Sequence, residues 1–521
     1  MKIRLLKSKI VSVLILMLIF SITLNGQSKK RPHLKNNGNA TQLIIEGEPS
    51  LLLCGELGNS SSTTLEYLDL AFEKCKKLGL NSVLATISWD QFEPVEGQFN
   101  YNEIDGLIKN AEKHDLKLVI IWFAAWKNGY SSYAPEWVKK DRVRFPRVIG
   151  TSMERLMGGK DTSIYNKNTL SPFFEETWKA DAKAFAKLMK RIKQIDENQT
   201  VVMVQVENEV GTYGVALDQQ PKALKLFNGP VPKQLTQYLK KHVADLVPAM
   251  TKAWNTNGNK MEGSWDEVFG TMAIDAFMAW HFAGFLEQVT VAGKAEYDIP
   301  MFYNAWLKQP KHDNMQGRYP TGGPIHTVLD VYRAASPSVD LLSPDIYHPA
   351  FKQYCEAYDH PGNVLFIPEC RIDEAMVGKA YWTIAEKDGI GFAPFGIERV
   401  SEESSLVEGY RILDQLMPLI TERQGTDKLM GIYRQVSPSK RKVDVGMWDF
   451  DAGDLEMEDK SYTKASIGEW IFNVQFMRMF KDEPAFGLIL QLSDDEFIIT
   501  GKNLRFEFAH KDKSLRVEQV Y

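Results

Sequence analysis

From residue 51 to residue 395, short apolar runs alternate with longer amphipathic segments. The short runs are Leu51–Gly55, Ser82–Ile87, Lys117–Phe123, Val201–Val206, Met301–Trp306, Asp340–Tyr347, Val364–Pro368 and Gly389–Phe395. The longer segments include Leu65–Leu78, Glu103–His114, Phe173–Ile195, Gln234–Trp254, Thr271–Val291 and Ala375–Lys387. Strand-length runs separated by helical periodicity are the pattern of β-α units on a parallel sheet. Eight such strands predict an α/β fold, a (β/α)8 TIM barrel. The alternative is a doubly wound open sheet. It is weakened because no Gly-x-Gly-x-x-Gly follows the first strand.

The flanks read differently. Residues 27–40 are polar and expected to be a flexible N-terminal segment. Thr41–Leu53 reads as a hairpin with a Glu-Gly-Glu-Pro turn. After Phe395 comes a helical stretch, Leu406–Arg423, and then short alternating pieces. These are Leu429–Val436, Lys442–Phe450, Phe486–Leu492, Asp495–Thr500, Arg505–Phe508 and Ser514–Val520, which suit a small β-sandwich. The expected organisation is a barrel with its hairpin over 41–424 and a C-terminal β-sandwich over 425–521. Two long insertions, Lys127–Ser171 and Thr212–Lys233, follow the third and fourth strands, on the face where barrel sites are built.

The first 26 residues have the form of a signal peptide. Lys2, Arg4, Lys7 and Lys9 precede the apolar run Ile10–Leu24, and Gly26 offers a small residue at the cut. No Cys follows it, against a lipoprotein anchor, and an uncleaved anchor is the alternative. No other segment approaches 18 apolar residues, so the expected mature protein is exported, periplasmic or extracellular, without stable membrane insertion.

Composition narrows the function classes. The chain has 521 residues, 44% hydrophobic and 25% charged, ordinary globular values that exclude disorder. The formal net charge is −5, with no strongly basic half, which argues against nucleic acid. The 4 cysteines form no disulfide framework and lack metal-site spacing. Most are expected as buried thiols, with a Cys355–Cys370 bond as one option. No metal cluster, phosphate loop or Gly-x-Ser-x-Gly elbow stands out, so no cofactor is expected. A homo-oligomer is left open.

The candidate chemistry lies at strand ends. The fourth ends in Gln205-Val-Glu-Asn-Glu-Val-Gly211 and the seventh in Phe366-Ile-Pro-Glu369-Cys-Arg371. Two carboxyls across a barrel mouth suit glycoside hydrolysis, one protonating the leaving oxygen while the other attacks or activates water. Glu207 and Glu209 are two apart, so on a strand both point to one face, and periodicity does not choose between them.

The Gln205–Gly211 run resembles the Gln-x-Glu-Asn-Glu-Tyr-Gly motif of glycoside hydrolase family 35 β-galactosidases. Trp89-Asp-Gln-Phe-Glu93-Pro94-Val-Glu96-Gly97-Gln-Phe99-Asn-Tyr101 is similar to a segment after the second strand in family 35 and in family 42 of the same clan A. The likeness extends over about Gln42–Phe395. It implies Glu209 as acid/base, Asn208 near the substrate 2-hydroxyl, Glu369 as nucleophile and Tyr347 orienting it. Val210, where family 35 often has Tyr, and Gly55-Glu56-Leu-Gly58-Asn59 depart from the pattern. The implied protein is a secreted bacterial enzyme, an exo-acting retaining β-glycosidase, foremost a β-galactosidase acting on oligosaccharides or polysaccharide fragments. β-Glucosidase, β-xylosidase, α-L-arabinopyranosidase or an inactive carbohydrate-binding barrel are the alternatives.

Further candidates for sugar binding follow from position and chemistry. Trp122, Trp126 and Trp306 offer faces to a sugar, and Lys127, Asn128, Asn304 and Glu56 offer partners for hydroxyls. Glu398 is a weaker candidate of the same kind.

Overall fold

The structure, a computed structural model, describes residues 31–151, 164–309, 315–435, 443–445, 448–450, 462–477 and 483–512. The proposed signal, residues 1–26, lies outside them. The eight apolar runs form β1 (Leu52–Glu56), β2 (Ser82–Ser88), β3 (Lys117–Lys127), β4 (Val201–Asn208), β5 (Met301–Trp306), β6 (Leu341–Ile346), β7 (Phe366–Cys370) and β8 (Gly391–Pro394). All pair in parallel in chain order, and β8 pairs with β1, so the sheet closes into a barrel and the open-sheet alternative falls.

Successive side chains of a strand point to opposite faces. Leu52, Cys54, Leu84, Val119, Ile121, Phe302 and Phe366 fill the interior. Their neighbours Leu51, Leu53, Val83, Leu118 and Ile120 pack outward beneath the helices. Both faces are buried, which is why the strands read as unbroken apolar runs.

The N-terminal segment departs from expectation. His33–Asn37 is not loose; it pairs antiparallel with Ala40–Ile45, which pairs with Glu48–Ser50. The polar strand is held by its ladder and by Leu34, which packs on the barrel interior with Leu43 and Ile45. Gln42 donates to the Thr421 carbonyl at 2.5 Å, fastening this sheet to the last barrel helix, Ser405–Arg423.

Against expectation, Trp265–Glu296 is by length and composition apolar enough to span a membrane. Its Phe277, Phe282, Phe285 and Leu286 are buried in the protein, and the helix Ala273–Glu296 packs against Glu175–Ile195.

The C-terminal region holds two three-stranded antiparallel sheets. One comprises Leu429–Tyr433, Phe486–Ser493 and Glu496–Lys502; the other Tyr462–Ile467, Trp470–Phe476 and Leu504–His510. Ile432 and Ile489 of the first meet Phe472 and Val474 of the second in one core, so the sheets form a sandwich. The hairpin Tyr462–Phe476 was not foreseen, and the expected strand Ser514–Val520 lies outside the described residues. The first sheet packs on the helix Met376–Ala385, where a Cβ at Gly378 would lie 2.7 Å from Tyr433. All four cysteines are buried free thiols, so the Cys355–Cys370 bond is not formed. Cys54 instead donates to the Phe392 carbonyl.

Candidate active site

The two glutamates that periodicity could not separate are separated by the backbone. Glu207 has φ 63° and Glu209 has φ 45°, both left-handed. Such residues cost on the order of 1–3 kcal/mol each and persist only where the surroundings fix them. Strand alternation therefore fails at the end of β4. Glu207 turns into the protein, accepting the backbone N–H groups of Ala125 at 2.9 Å and Trp126 at 2.8 Å. Burial and the facing Asp181 hold its carboxyl well above the usual range. Glu209 faces a cavity of about 610 Å³ at the barrel mouth, and Glu369 lines the same cavity.

Each carboxyl has a dedicated partner. The Tyr347 phenol donates to Glu369, and Asn128 donates to Glu209. The N–H of Glu209 donates to Asn304 Oδ1 at 2.9 Å, and Asn304 Nδ2 donates to Asp345 at 2.6 Å. Parallel register sets Asp345 of β6 directly opposite Glu369 of β7. Glu56, at the end of β1, is buried and acts electrostatically on Glu369 and Glu209.

Burial in one low-dielectric space and the charge of Glu369 disfavour ionisation of Glu56, Glu209 and Asp345. Burial, then the charge of Glu369, pushes Glu209 up to about 7, with Lys127 opposing. The same causes push Glu56 and Asp345 well above the carboxylate range. Burial, then Glu369, pushes the Tyr347 phenol up, which keeps it a donor.

Of the expected site residues, Lys127, Asn128, Glu209, Trp306, Tyr347 and Glu369 line the cavity. Trp306 is stacked on Tyr213 at 4.9 Å, so the insertion after β4 fixes its ring. Asn304 acts from behind Glu209. Asn208 is buried next to it, with no protein partner for either amide atom among the described residues. Trp122 and Trp126 are corrections. Both are fully buried; the Trp122 indole donates to Asp181 and the Trp126 indole to the Leu170 carbonyl. Phe282 and Phe285 enclose Trp126, leaving no face for a sugar. Glu398 instead holds the turn after β1, accepting from the Gly58 N–H and the Ser61 hydroxyl.

Sequence reasoning missed Asp345, His348, Arg371 and Arg399, all of which line the cavity. The signal for Asp345 was present: it lies two residues before Tyr347, on the same face of a strand. Asn59 also lines the cavity, as do Leu307 and Gln309 from the loop after β5, a wall not anticipated. Among the described residues no group of three or more His, Cys, Asp or Glu is arranged to hold a metal ion.

Residues 61–276 match the model of glycoside hydrolase family 42, described as beta-galactosidase. Residues 406–520 match DUF5597, a domain of unknown function. The matching hydrolase model is thus that of family 42, and the likeness to family 35 rests on the Gln205–Gly211 motif. One segment is 32% identical over 103 residues to endo-1,4-beta-xylanase 2 of Claviceps purpurea, covering 19% of this chain and 30% of that protein. Another is 26% identical over 187 residues to a beta-galactosidase of Xanthomonas manihotis, covering 33% of this chain and 26% of that one. The chain therefore spans less than a third of the length of these curated relatives. The crystal structure of beta-galactosidase from the psychrophilic Marinomonas ef1 aligns at a TM-score of 0.46 and 12% identity, over 72% of this chain and 60% of that chain.

Proposed function

We propose that the protein is an exo-acting retaining β-glycosidase, foremost a β-galactosidase, that removes terminal sugars from oligosaccharides or polysaccharide fragments by double displacement. One observation carries the reading. Glu209 and Glu369, from the ends of β4 and β7, face one cavity; the first keeps its proton near neutral pH and the second is held by a phenol. The match of residues 61–276 to a beta-galactosidase family supports it.

In the first step Glu369 attacks the anomeric carbon while Glu209 gives its proton to the glycosidic oxygen. The C–O bond breaks and a glycosyl ester forms on Glu369. That ester no longer carries the negative charge that helped to raise Glu209. The acidity of Glu209 therefore increases at the stage when it must become the carboxylate that takes a proton from water. Water attacks the same carbon, Glu369 leaves, and the configuration is retained. Trp306 supplies a stacking face, and Asn208 and Lys127 supply partners for hydroxyls.

The residue roles are tested by azide rescue. Glu369→Gly should lose nearly all activity and, with azide, form an α-configured glycosyl azide. Glu209→Ala with an activated aryl substrate should form the β-configured azide. The same anomer from both variants would refute the assignment.

The likeness to a xylanase segment favours a second specificity on the same residues, for xylosides. A panel of nitrophenyl glycosides decides between them. Export, to periplasm or medium, completes the proposal and rests on residues 1–26.

A further inference from the structure

A second cavity, of about 1070 Å³, lies beside the catalytic one, and Ile372 and Arg399 line both. The rim of the catalytic cavity beyond the ends of β7 and β8 is therefore also the head of a groove. One bank belongs to the barrel: Asp373 after β7, Ser401 and Glu402 after β8, and the start of helix Ser405–Arg423. The other bank is the C-terminal sandwich, through Phe486 and the segment Thr500–Lys502. Neither Glu209 nor Glu369 reaches it.

We propose that this groove binds the sugar units beyond the scissile bond of a neutral glycan, so that the C-terminal domain is one wall of an extended substrate site. The proposal rests on the glycosidase reading. Continuity is the first argument. A chain whose terminal sugar occupies the catalytic cavity must leave it across the rim, and Ile372 with Arg399 joins rim and groove. Size is the second, since the groove is slightly larger than a pocket for one small ligand and so has room for several sugar units. Charge is the third. Acidic side chains along the walls outnumber basic ones five to three. Carboxylates accept hydrogen bonds from sugar hydroxyls, whereas a chain bearing uronic acids would meet like charge.

The experiment compares kcat/KM on a nitrophenyl glycoside with that on oligosaccharides of two to five units ending in the sugar the aryl panel selects. The wild type should gain several-fold with chain length. Ser401→Trp, which fills the groove from an exposed position, and Glu402→Ala should keep the aryl activity and the melting temperature and lose most of that gain. Oligosaccharides carrying uronic acid on the aglycone side should gain less than neutral ones. A wild type indifferent to chain length, or both variants retaining the gain, would overturn the groove while leaving the glycosidase reading intact. A wild type inert on every aryl glycoside would instead overturn the glycosidase reading, and the groove with it.

Discussion

Glu207 and Glu209 are two positions apart and serve opposite ends. One ties the barrel wall together, and the other holds a proton at its mouth. The motif around them was legible in sequence, but their division of labour was not. It depends on left-handed backbone at both positions, which only the surrounding fold can impose. Likewise Trp306 and Trp126 look alike in sequence, and the aromatic cage around Trp126 is made by residues more than a hundred positions away. Removing the carboxyl group of Glu207 leaves two buried N–H groups short of an acceptor. Glu207→Ala should therefore lower stability by about 1–3 kcal/mol or more in chemical denaturation, before any effect on chemistry is considered. The proton on Glu209 has two consequences of one sign. Its folded value of about 7 lies above the ordinary 4.5. The acid form, and with it kcat/KM, should fall as pH rises through about 7. The stability this proton contributes is complete below 4.5 and lost over the same rise. In a Glu209→Gln variant assayed on aryl glycosides with very good leaving groups, the upper limb near pH 7 should be absent.

At the scale of elements, the barrel strands were readable because each is covered on both faces and so written in continuous apolar letters. The strand His33–Asn37 was not, because its partners hold it through backbone pairing and its side chains are mostly polar. The loop after β4 shows how tightly elements abut at the site. Gly211 has φ +124°, and a Cβ there would lie 2.8 Å from the backbone of Pro320 in the loop after β5. The two loops are joined next to it by the Thr212–Thr321 pair. Gly211→Ala should push the loops apart, shift Glu209 two residues upstream and reduce kcat/KM by at least tenfold. Wild-type kinetics in that variant would show that the loops have room to yield.

At the scale of the molecule, the sandwich is built into the barrel surface. Every residue of helix Met376–Ala385 is buried, although its barrel side alone cannot cover it. Leu429–Tyr433 covers the rest, with Gly431 so close that a Cβ would lie 2.8 Å from the Glu386 nitrogen. Truncation after residue 424 should expose that face and yield an insoluble or early-melting barrel, read by soluble yield and thermal unfolding. A soluble truncated protein of full stability would refute the dependence. The domain was legible as β-structure, but its docking was not, because small residues at Gly378 and Gly431 mark a contact only once their neighbours are known.

Closure of the barrel also sets a waiting time. Cys54 on β1 and Phe392 on β8 are partners 338 positions apart in the chain. At about 5–20 residues per second, a ribosome needs roughly 20–70 s to make the second after the first. Throughout that interval the apolar Leu51–Leu53 edge has β2 on one side and nothing on the other, the condition in which strands pair with strangers. How long that edge waits is thus fixed by where the first and last strands meet.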